Sequence, residues 1–158
     1  MSALDSLAAW LEATRVAEVV GTSMWLVAAL SAVHVLGYTL VMGGALVANL
    51  RLMGLLLPGL PVGVVTRPAN RGISLGLVIS IATGVLLVSW KATAAFASDI
   101  FQVKMLLLLA AAVLHFTWQR SITRSEPANT GLPKAAGVIG LALWLGLAVA
   151  GCAYILLE

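Results

Sequence analysis

The chain has two histidines, His34 and His115, and both lie in long apolar runs: SAVHVLGYTL surrounds the first and KMLLLLAAAVLHF leads into the second. A neutral imidazole offers a lone pair to a metal or a proton. An ionisable group inside a lipid-spanning segment is costly enough to point to function. Other reactive groups are few. Cys152 is the single cysteine, which excludes an internal disulfide, a CxxC or CxxCH site, covalent haem attachment and a zinc knuckle. Zinc or copper wants three or four N, S or O donors. Asp99 stands at the far boundary of its run from His115, and Met42 lies about 80° around the helix from His34. No carboxylate matches either histidine in depth, so a Ser–His–Asp triad has no basis. A haem supplies four equatorial nitrogens itself and asks for one or two axial ligands, which two histidines can provide.

The runs that carry the histidines point the same way through the bilayer. At 1.5 Å per residue, His34 lies roughly 18 Å below the start of its run at residue 22, and His115 about 21 Å below Phe101. This predicts one shared layer, with imidazoles on diagonal helices of an up-down bundle holding one b-type haem between them. Ser31 and Tyr38 fall on the His34 stripe, where they would orient the ring or satisfy its other nitrogen. Arg51, Arg67 or Arg120 would pair with the propionates at the inner side. Lys104, three residues into the third run, either snorkels to the surface or holds an anionic partner within the bundle. Two further readings of the histidines stand beside haem: proton handling, and hydrogen bonds that only fix helix packing.

The elements that must position these groups follow from composition. Hydrophobic residues make up 61% of the 158 and charged residues 9%, with a mean hydropathy of +1.07. That is too little charge to cover a soluble domain, so the chain reads as an integral membrane protein. Four apolar runs, about 22–50, 73–92, 100–120 and 135–157, are long enough to cross a hydrocarbon core of about 30 Å. They lack the alternation of barrel strands, so the fold class is all-α, a transmembrane four-helix bundle in one domain. The start does not read as a signal peptide. Leu4, Leu7, Trp10, Leu11 and Val16 recur at helical spacing, which predicts an amphipathic helix over about 3–19 lying at the interface.

Between these runs, LLLPGLPVGVVTRPANRG reads as an apolar segment resting at the membrane surface, and RSITRSEPANTGLPK as a polar connection. Gly76, Ser80 and Gly84 form a small-residue stripe suited to close helix contact. Arg51, Arg67, Arg71, Arg120, Arg124 and Lys134 lie on one side of the bilayer, against Arg15, Lys91 and Lys104 on the other. This places the first and third loops in the cytoplasm and both termini in the periplasm of a bacterial inner membrane. The basic residues form no stripe with interleaved aromatics, so nucleic acid is not a partner.

The segments LEATRVAEVV, SMWLVAALSAVHVLGYTLVMGGALVANLRLMG, ATGVLL and FQVKMLLLLAAAVLHF resemble an uncharacterised bacterial family of small four-helix membrane proteins over nearly the whole chain. More distantly, His34 followed by Arg51, and Lys104 eleven residues before His115, resemble the HemJ-type protoporphyrinogen oxidases. That resemblance implies a four-helix membrane protein with haem b, His34 as axial ligand, Lys104 as a functional residue, and His115 as second ligand or packing partner. HemJ-type chains carry further histidines after the arginine, and LRLMGLLLPG has none. The amphipathic start is also foreign to them.

The sequence therefore predicts a membrane subunit with one b-type haem that passes electrons between a quinone or cytochrome and another partner. With so little mass outside the bilayer, it is expected to work with other membrane subunits or as a homo-oligomer. The alternatives are a cofactor-free structural subunit that packs against partner helices and, third, a HemJ-like porphyrinogen oxidase.

Overall fold

A computed structural model describes residues 3–119 and 131–157. These form helices α1 (Ala3–Glu12), α2 (Arg15–Thr22), α3 (Met24–Leu52), α4 (Val62–Ser89), α5 (Ala92–Ala97), α6 (Asp99–Leu114) and α7 (Leu132–Leu157), with a π-helical turn at His115–Gln119 between α6 and α7. Helices α3, α4 and α7, and α6 extended to Thr117, are long and apolar enough to cross a membrane. The expected all-α bundle with four spanning helices is therefore what the chain forms. Arg120 and Arg124, in the expected third loop, lie outside the described residues.

Side-chain caps set several of the helix starts, by satisfying amides that the first turn leaves without partners. Thr14 accepts from the Ala17 amide at 3.2 Å, Ser23 from Leu26 at 3.3 Å, and Ser98 from Phe101 at 3.0 Å. The expected single interfacial helix is in fact two, α1 and α2, because Thr14 starts a new helix. Glu12 reaches across to accept from the Thr93 amide at 2.7 Å, which ties α1 to the start of α5. Together α1, α2 and α5 cover one end of the bundle, here called the capped end.

At the other end, the loop end, α4 starts at Val62 rather than near 73. Pro68 lies inside this helix, at the cost of one backbone hydrogen bond. Burial of Val65, Thr66, Ala69 and Ile73 offsets that cost. Arg51 is 8% exposed and donates to the Leu60 carbonyl at 2.5 Å and the Pro58 carbonyl at 3.5 Å, clamping the 53–61 connection.

The closest helix pair is α3 with α4. A Cβ on Gly76 would collide with the Gly37 carbonyl and come within 2.9 Å of the Val41 amide nitrogen. A Cβ on Gly44 would meet the Ala69 carbonyl at 2.6 Å. Backbone touches backbone here, as small-residue stripes allow. Helix α7 packs on the other flank of α3, and α6 packs on α7. The buried cluster of Val41, Ala45, Ile73, Leu77, Trp144 and Leu147 fills the middle and loop-end half. Between α4 and α6 lies an apolar cleft of about 480 Å³, walled by Leu77, Val78 and Ile81 on one side and Met105, Leu108 and Leu109 on the other.

Candidate functional site

His34 sits on α3, ten residues from its capped-end start, against the small-residue stripe of α4. Its Nδ1 lies 3.1 Å from Thr83 Oγ1, and a Cβ on Gly84 would come within 3.1 Å of its Cε1. Thr83 Oγ1 has one proton, and the hydroxyl donates it to the Ile79 carbonyl at 2.7 Å. While that bond holds, Thr83 accepts from Nδ1–H in the imidazole tautomer that leaves the lone pair on Nε2. That nitrogen makes no hydrogen bond among the described residues. Ser80 Oγ donates to the His34 carbonyl at 3.3 Å, fixing the backbone beneath the ring.

The contacts of α7 give the register of the other helices. Gly137 faces the Asn49 carbonyl of α3, Leu107 of α6 lies against Gly146, and Phe101 packs on Tyr154 with ring centroids 5.7 Å apart. Stepping along these antiparallel pairs puts Lys104 in the His34 layer. The same register puts His115 beside residues 46–48 of α3, roughly 20 Å along the bundle from His34. The His115 ring is buried edge-on to Phe116 at 5.0 Å and Trp144 at 6.5 Å. On this register the two imidazoles stand in different layers of the bundle.

The remaining expected site residues also separate. Arg51 follows His34 by 17 residues, about 26 Å along α3, and its guanidinium serves the 53–61 clamp. Tyr38 donates to the Trp144 carbonyl at 3.0 Å, so it bridges α3 to α7 rather than orienting His34. Ser31 forms no hydrogen bond among the described residues. Thr83, which does orient the ring, was missed. A threonine in an apolar run reads as a packing residue, and its only signal was its place next to Gly84 on the stripe.

Around His34 and Lys104 burial is one-sided, with Ser80 and Thr83 of α4 and Leu147 of α7 buried. No residue from Met24 to Leu36 on α3, and none from Gln102 to Ala110 on α6, is buried, and both side chains are partly accessible. Among the described residues, no group of three or more His, Cys, Asp or Glu could hold a metal ion. A ligand that brings most of its own donors is the kind of metal centre the residues can serve.

Four apolar helices around a half-buried imidazole and a lysine define a small polytopic membrane bundle. Residues 8–155 match the model of a family of unknown function, DUF6644, and the chain belongs to that family. The comparison shows no likeness to HemJ-type proteins. No curated protein and no solved structure matches the chain.

Proposed function

We propose that this chain is a membrane subunit carrying one b-type haem, with His34 as the protein's ligand and without His115. The observation that carries the reading is the His34–Thr83 pair. A ligating histidine commonly donates its second ring N–H to a fixed acceptor, which sets the tautomer and raises the basicity of the ligating nitrogen. Thr83 does this for Nδ1 and leaves Nε2 for the iron. The lack of buried side chains on α3 over 24–36 and α6 over 102–110 supports access for a flat ring, and a bound haem would supply one-electron redox chemistry. His34 holds the ring, Thr83 holds His34, and the apolar helices keep water away. A quinone or cytochrome exchanges electrons with it. The arginines of the loop end favour that end in the cytoplasm of an inner membrane, with the capped end and its partner on the periplasmic side.

The test is an absorption spectrum of the purified protein, after reconstitution with haem if needed. A Soret band lost in His34→Ala and kept in His115→Ala supports single ligation. A band lost in both variants returns His115 to the site.

A colourless wild-type protein after reconstitution leaves the cofactor-free structural subunit, which the backbone contact of Gly37 with Gly76 favours. The nearness of Lys104 to His34 supports a third reading, porphyrinogen oxidation, tested by a membrane assay in which Lys104→Ala abolishes turnover.

A further inference from the structure

We infer that the capped-end mouth of the bundle is a carboxylate-binding site, built from Lys91 and Lys104 around Tyr154, and that it takes the acid edge of the tetrapyrrole held at His34. The inference rests on the haem reading and adds a direction to it: the acid groups face the capped end, away from the arginines of the loop end.

Tyr154, near the end of α7, has Lys91 Nζ 5.3 Å and Lys104 Nζ 5.5 Å from its ring centroid. Lys91 follows the last turn of α4 and also lies 5.7 Å from the Trp90 ring, while Lys104 projects from α6. Three helices thus bring two ammonium groups to one aromatic ring at the border of the apolar region, where like charges repel more strongly than in water. Among the described residues no acid forms an ion pair with them. Asp99, exposed at the start of α6, forms no ion pair with either lysine among the described residues, and Glu12 is engaged by the Thr93 amide. Two cations that meet no carboxylate among the described residues at such a border suit an anionic ligand.

The placement also suits the ligand. Lys104 shares the His34 layer, and Lys91 follows Gly84 by seven residues, roughly 10 Å further toward the capped end. A flat ligand centred at His34 with both acids on one edge would set that edge between the lysines. A neutral prenyl lipid would use the cleft between α4 and α6 but has no need of two cations.

The test titrates the full-length protein in detergent with haem and with haem dimethyl ester, whose acids are blocked, following the Soret band. Wild type is expected to prefer the free acid by about tenfold or more. Lys91→Ala/Lys104→Ala is expected to bind both ligands equally, with ester affinity as in wild type. Ester binding thereby reports that the variant is folded, and Lys91→Gln/Lys104→Gln, which keeps side-chain length, is expected to behave the same way. A preference for the free acid that survives in both double variants overturns the site while leaving haem binding intact. Equal loss of both ligands also overturns it, as a purely structural role. Failure of wild type to bind either ligand overturns the haem reading and this site together.

Discussion

Thr83 is the residue on which the chemistry of His34 turns. Its proton is committed to the Ile79 carbonyl, so the substitutions that matter are those that remove its acceptor oxygen. Thr83→Val keeps the shape and deletes the acceptor; haem affinity is expected to fall about 10–100-fold, the usual range for losing an outer partner of a ligating histidine. Thr83→Ser should retain most of it. Equal affinities for the Val and Ser variants, measured by Soret titration, would remove Thr83 from the site. Arg51 gives the opposite test. Arg51→Ala deletes charged hydrogen bonds to the Leu60 and Pro58 carbonyls and is expected to cost about 2 kcal/mol of stability, with faster amide exchange over 53–61 and an unchanged haem spectrum. An altered spectrum would bring Arg51 back toward the cofactor. His34 was legible in the sequence because an imidazole in an apolar run has few bland explanations. Its partner was not, because spacing along one helix says nothing about which hydroxyl of the next helix it meets.

Among the elements, the α3–α4 pair has the least tolerance. Gly76→Ala would drive a methyl into the Gly37 carbonyl and the Val41 amide, groups that cannot move without parting the helices. Overpacking of this kind costs about 1–3 kcal/mol. Gly43→Ala, with nothing within 4 Å of the new carbon, should be silent. Thermal unfolding of the two variants in the same detergent measures the contrast, and equal midpoints would mean that the close approach carries no strain on substitution. The spanning helices themselves were legible from their apolar runs. The start of α4 was not, since three prolines and two glycines over 58–68 look like a loop until burial against α3 outweighs them. Relative depth is hard to read from the sequence for a geometric reason. Depth was counted from the start of each run, and the starts are not level: Phe101 of α6 lies beside residue 32 of α3, eight residues below Met24 and so about 12 Å deeper.

Taken whole, the molecule buries its helices unevenly. The buried apolar cluster belongs to the middle and loop-end half, while α3 over 24–36 and α6 over 102–110 bury no side chain, although Thr83, Ala92, Ala95 and Phe101 around them are buried. Regions with little buried contact open at lower free energy. In haem-free micelles, residues 24–36 and 102–110 are expected to exchange amide hydrogens faster than 41–52 and 69–80, and haem should narrow the gap. Uniform protection, with or without haem, would mean that the half around His34 needs no occupant. This gradient was hidden from the sequence, where hydropathy is high throughout and gives the order of the helices but not how tightly each half closes.

The burial of Trp144 has an optical consequence. Its indole is fully enclosed, and Nε1 finds no acceptor among the described residues, whereas Trp10, Trp25 and Trp90 are 64%, 87% and 41% exposed. Trp144 should therefore emit at the blue edge of the protein's fluorescence and resist water-soluble quenchers. It also stands edge-on to His115, with ring centroids 6.5 Å apart. Loading a haem should darken that blue component by energy transfer. The chain thus carries its own ruler for the occupancy of its capped half, readable without a label.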